Sequence, residues 1–159
     1  MGMIGYFRRV PESALADLRT NPTALLADRA EPTDDLLEVG KDWHGLHFAL
    51  TGAEGGGDLP LSFVLHGGET LGNEDVGYGP ARAFSPSEVK EISLALTPMT
   101  SEKLAVRCNA QRMEELKIYP GGWTQERGSI DALLSTYATL RSFVADTATR
   151  GEALVVFVA

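Results

Sequence analysis

The 159-residue chain carries 14 Lys and Arg against 22 Asp and Glu, a net charge of −8, and is 43% hydrophobic and 23% charged. That balance suits one folded domain with a core and excludes disordered and collagen-like chains. It also lacks the basic footprint of a phosphate-tracking binder, so no nucleic-acid partner is expected. Cys108 is the single cysteine; no intramolecular disulfide can form, and a reducing cytoplasm is the expected compartment. The segment Met1 to Phe7 lacks the pattern of a secretory leader and no apolar run approaches the roughly 20 residues of a membrane span, so no membrane partner is expected either.

In chain order, Met3 to Val10 is short, rich in β-formers and ends at Pro11, which predicts a strand followed by a helix over 11–19. Asn21-Pro22 is an N-cap followed by proline at the first helical position, predicting a short helix around Leu25 and Leu26. Asp34 to Leu37 is expected to add one more turn. Within Lys41 to Thr51, Trp43, Leu46, His47 and Leu50 recur at i, i+3, i+4 and i+7, one face of a buried helix that Gly52 ends as a left-handed cap. Gly55-Gly56-Gly57-Asp58 reads as a surface loop, Leu61 to Leu65 is open between strand and helix, and Gly67 to Gly79 is irregular. Ala81 to Phe84 predicts a short strand, and Ser85-Pro86-Ser87-Glu88 is a capping box opening a helix over 86–96. Two shorter helices follow, one from Thr100 or Ser101 and one around 110–116, before Ile118-Tyr119-Pro120-Gly121-Gly122 turns the chain. Ile130, Leu133, Leu134, Tyr137, Leu140, Phe143 and Val144 hold the 3.6-residue period through the longest helix, which Gly151 closes. Leu154 to Val158 has the composition of a buried strand. Strands at both ends with helices between them predict an α+β fold: one compact domain over residues 1–159, with a small mixed sheet that includes both terminal strands and several helices packed on it.

Few residues carry chemistry. No Gly-x-Ser-x-Gly elbow accompanies His66-Gly67-Gly68, and Gly77-Tyr78-Gly79-Pro80 fails as a phosphate loop because Pro80 removes an amide donor. Cys108, near a helix end, reads as a small packing residue or a nucleophile. His44 and His47, three residues apart on one helix, could reach one metal or one substrate, but His47 lies on the apolar stripe, where a core histidine bonded to backbone is the commoner finding. No metal site and no cofactor is assigned. Trp43, Tyr119 and Trp123 are core plugs or pocket walls. Arg82, beside the Gly-rich segment, forms an ion pair or anchors a carboxylate or phosphate.

Four segments in order, Gly2-Met3-Ile4-Gly5-Tyr6-Phe7, Lys41-Asp42-Trp43-His44-Gly45-Leu46-His47-Phe48, Gly79-Pro80-Ala81-Arg82 leading to Pro86-x-Glu88-Val89, and Ile118-Tyr119-Pro120, resemble the YfbM-like family of bacterial proteins. The resemblance runs the length of the chain and implies a single cytoplasmic α+β domain. It brings no activity, cofactor or catalytic residue with it. One departure lies after Trp123, where Thr124-Gln125-Glu126-Arg127 is less acidic than the family pattern leads one to expect.

Charge is uneven along the chain. Residues 11–75 hold 13 acidic side chains against Arg19, Arg29 and Lys41, a net of −10, whereas residues 76–159 hold nine of each sign. The excess is either a set of solvated faces or a surface that docks a basic protein. Two functional readings follow. One is a non-catalytic protein-binding module, immunity- or antitoxin-like, that meets a basic partner through residues including Asp34, Asp35 and Glu38. The other is a small-molecule site, catalytic or not, built from His44, His47 and Arg82 with Trp43, Tyr119 and Trp123 as walls, and it requires these side chains to converge on one pocket.

Overall fold

A computed structural model describes residues 2–31 and 33–159. Five strands, β1 (Gly5–Val10), β2 (Leu36–Gly40), β3 (Glu69–Thr70), β4 (Arg82–Phe84) and β5 (Ala153–Val158), form one sheet in the order β2-β1-β5-β4-β3. The terminal strands β1 and β5 are neighbours over their full lengths, from Gly5 opposite Val158 to Val10 opposite Ala153. The expected mixed sheet is corrected in one respect, because every pairing is antiparallel. The long helix before β5 returns the chain so that this central strand runs against both neighbours.

The α-helices among the described residues are α1 (Leu15–Thr20), α2 (Ala24–Ala27), α3 (Trp43–Thr51), α4 (Pro86–Leu96), α5 (Ser101–Arg107), α6 (Ala110–Glu115) and α7 (Ser129–Arg150). No helix among the described residues is long and apolar enough to cross a membrane. Both faces of the sheet are covered. Phe7, Phe84, Leu154 and Val156 join α3, α4, α5 and α7 in the larger core; Tyr6, Ala83, Val155 and Phe157 meet Leu15, Leu18, Leu25, Leu71 and Val76 on the other side. This three-layer arrangement is why β5 is apolar at every position rather than alternating, even in an antiparallel sheet.

Local signals act where they were read. Ser85 accepts from the Glu88 amide while the Glu88 carboxylate accepts from Ser85 N–H, so α4 begins with both halves of the capping box. Thr100 caps α5 through its side chain, and Asn109, which sequence reasoning did not name, caps α6 in the same way. Gly52, at φ 73°, ends α3, and Gly151, at φ 66°, ends α7. Of the turn expected over Asp34 to Leu37, Asp34 and Asp35 do form a turn, with Leu36 N–H donating to the Thr33 carbonyl, but Leu36 and Leu37 already belong to β2. Leu37 lies opposite Phe7 and Val39 is buried in the larger core, and joining β1 buries apolar side chains that an isolated helical turn would leave in water. Leu61 to Leu65 is neither strand nor helix but a series of turns, with Phe63 N–H donating to the Pro60 carbonyl and His66 N–H to that of Ser62. The segment from Gly67 to Gly79 includes β3, which Arg19 of α1 grips through a two-pronged contact with Glu69, Nε to Oε1 at 2.6 Å and Nη2 to Oε2 at 2.8 Å.

Candidate functional site

Helix α3 and the loop after it gather most of the chemistry-bearing residues. At its first turn the Trp43 ring stacks on Tyr119, with centroids 5.4 Å apart, and its indole N–H donates to the Met3 carbonyl at 3.1 Å. The Tyr119 hydroxyl accepts from Met3 N–H at 2.9 Å, so the two aromatics bind the chain's beginning to the 118–120 turn. His44 has both nitrogens engaged: Nδ1 accepts from Tyr119 N–H at 2.9 Å and Nε2 faces the Glu54 carbonyl at 2.8 Å. An accepting Nδ1 and a carbonyl opposite Nε2 assign the neutral tautomer with its proton on Nε2. His44 is thereby a backbone staple.

One turn later, His47 has no exposed surface and neither ring nitrogen has a hydrogen-bond partner. Burial pushes its pKa down to about 4; the Gly56 backbone beside the ring opposes this, and His66, His44 and Arg82 reinforce it. His47 is therefore neutral near pH 7. The ring of His66 meets it edge-on at 5.5 Å, and His66 Nε2 bonds to the Gly55 carbonyl. The chain's three histidines thus converge on the backbone of residues 54–56, beside which Ser62 Oγ is also buried and unpartnered. Sequence reasoning passed over His66 as a member of this group; the signal was three histidines within 23 residues flanking a triple glycine. Among the described residues no group of three His, Cys, Asp or Glu could hold a metal ion.

The other expected site residues lie apart. Trp123 is 4% exposed, donates to the Ile118 carbonyl at 2.8 Å and fills the space beside Gly45, where a Cβ would come within 3.0 Å of its ring. Its edge lines a concavity of about 520 Å3 between α6 and the start of α7 that none of the other five reaches. Arg82 forms no ion pair among the described residues; Nη1 donates to the carbonyls of Phe63 and Gly67 at 3.2 and 3.0 Å, and Nη2 to that of Val64 at 2.6 Å. Cys108 ends α5, and burial raises its thiol pKa to about 11, leaving it protonated and a poor nucleophile.

Asp34, Asp35 and Glu38 are all exposed along the entry to β2 and on the strand itself. Asp35 is not free: its carbonyl accepts from Arg9 N–H and its carboxylate lies 3.6 Å from Arg9 Nη1. Arg9, which sequence reasoning did not single out, is 4% exposed, pairs with Asp146 at 3.0 Å, donates Nε to Thr147 Oγ1 and lies 4.5 Å over the Phe143 ring. It ties β1 to α7. Asp34 and Glu38 make no ion pair among the described residues.

Three comparisons bear on this chain. A family model described as "Domain of unknown function (DUF1877)" matches residues 1–157. Protein YfbM of Escherichia coli strain K12 is 29% identical over 127 residues, covering 76% of this chain and 75% of that protein. The crystal structure of YfbM from Escherichia coli, titled as a protein of unknown function, superposes with a TM-score of 0.75 at 21% identity, covering 98% of this chain and 99% of that one.

Proposed function

The chain belongs to the DUF1877 family, and starting from a family whose description names no reaction we propose that this protein is a non-catalytic protein-binding module whose acidic first half docks a basic protein. The observation that carries the reading is the net charge of −10 over residues 11–75 with Asp34 and Glu38 exposed and in none of the ion pairs among the described residues. Carboxylates that neutralise nothing within the fold leave their field to act on a partner, where they speed encounter more than they hold the complex. The engagement of His44 by backbone and the protonated state of Cys108 favour this reading over catalysis. An immunity- or antitoxin-like inhibitor acting in the cytoplasm is one form such a module would take.

The test is capture of partners by the tagged protein at low and high salt, followed by association kinetics with the protein recovered. The double variant Asp34→Lys, Glu38→Lys is the instrument; Asp35 is left intact because it serves Arg9. The expected result is a salt-sensitive complex and an on-rate lowered by roughly tenfold or more at low salt. An unchanged on-rate rejects the acidic docking face.

A further inference from the structure

The half-buried guanidinium of Arg82 departs from the way proteins usually withdraw cations from water. Charged side chains withdrawn from water are normally paired with an opposite charge. Arg82 has no carboxylate within ion-pair distance among the described residues, and its Nη groups all turn inward to carbonyls of the 63–67 turns. These carbonyls satisfy donors yet leave a full positive charge in place, and the cost of that burial lowers the Arg82 pKa to about 10. The Nε–H makes no hydrogen bond among the described residues.

Arg82 also lines a cavity of about 110 Å3 at the end of the sheet, with Leu65, Tyr78, Pro80, Val156 and Val158 among its walls. Pro80 brings no N–H, the Tyr78 amide is spent on the Val158 carbonyl, and Asp75 of the same turn accepts from the amides of Gly77 and Gly79. Arg82 is therefore the cation of a small recess whose lining is half polar and half apolar, and partial withdrawal from water strengthens its pull on an opposite charge. The volume suits an anionic head group and falls below the roughly 300 Å3 at which drug-sized ligands are held.

We infer that this recess binds a small oxyanion, a carboxylate or a phosphate, through the guanidinium of Arg82, whose charge meets carbonyls and the Phe84 ring but no carboxylate among the described residues. This site is distinct from Asp34 and Glu38, which lie at the β2 edge of the sheet, three strands away from β4. A protein of net charge −8 does not gather anions generally, so saturable anion binding reports a local site.

The test follows the Arg82 Nε–H resonance of the intact 15N-labelled protein while sodium acetate or sodium phosphate replaces sodium chloride at constant ionic strength. The expected result is a shift that reaches a plateau, with slower exchange of that proton with water. A plateau with acetate alone identifies a carboxylate, one with phosphate alone a phosphate, and one with both an oxyanion site of either kind. A shift that grows without saturating, or none, shows Arg82 to be only a backbone staple and overturns the proposal. Arg82→Gln is expected to lose any thermal protection by the effective anion; if that variant does not fold, the titration of the natural chain still decides. Neither result depends on the acidic docking face.

Discussion

The imidazole of His47 is a fully buried polar ring with nothing bonded to it, and its cost is written in a pKa near 4. In the unfolded chain the same ring titrates near 6.5. Between those values the unfolded state holds more protons than the folded one, so stability falls as pH drops from about 6.5 towards 4 and this contribution is constant above and below that window. Discounted for partial screening, the loss amounts to about 1 to 3 kcal/mol. His47→Leu removes both the orphaned nitrogens and the proton linkage, and an apolar replacement of a buried unsatisfied group is close to neutral at pH 7. Urea denaturation at pH 7 and pH 4.5 is expected to show a smaller drop for the variant than for the natural chain; parallel pH dependences would disprove the assignment. The helical spacing already placed His47 on the buried stripe of α3. The absence of a bond to it, and the arrival of His66 from 19 residues downstream, depend on how the 54–66 segment folds back, which no local pattern encodes.

At the scale of elements, the ends of helices were more legible than the edges of the sheet. The Ser85 to Glu88 box, Thr100, Asn109, Gly52 and Gly151 act through contacts within four residues or through their own backbone angles, so sequence alone carries the information. Ser85→Ala is expected to cost about 1 kcal/mol, measured as a lowered urea midpoint with an unchanged slope; Ser85→Thr restores most of it. In α7, the period of Leu133, Tyr137, Leu140 and Val144 faces the larger core, and each such side chain contributes roughly 1.5 to 3 kcal/mol by leaving water. Leu36 and Leu37, the first two residues of β2, were read as part of a turn because they become a strand only when β1 lies beside them. Pairing partners far apart in sequence supply hydrogen bonds and burial that a window of neighbours does not contain.

Across the whole molecule, charge and topology separate. The exposed carboxylates of residues 11–75 repel one another, and few cations in that stretch offset them. Raising salt from low ionic strength to about 0.15 M shortens the screening length to about 8 Å, so the melting temperature of the isolated protein is expected to rise with sodium chloride in a thermal scan; a fall would mean that ion pairs such as Arg19 with Glu69 outweigh the repulsion. The sequence by itself determined the α+β class, the terminal strands, the helix limits and the acidic bias, because composition, periodicity and capping act over a few residues. Only the tertiary structure decided that the sheet is antiparallel throughout, that Trp43, His44 and Tyr119 form one assembly while Trp123 and Arg82 serve others, that Asp35 answers to Arg9, and that Arg82 stands half-buried without a carboxylate partner among the described residues. Each of those outcomes joins residues separated by many positions in the chain, and their meeting is settled by which apolar faces pack together rather than by any short stretch of sequence.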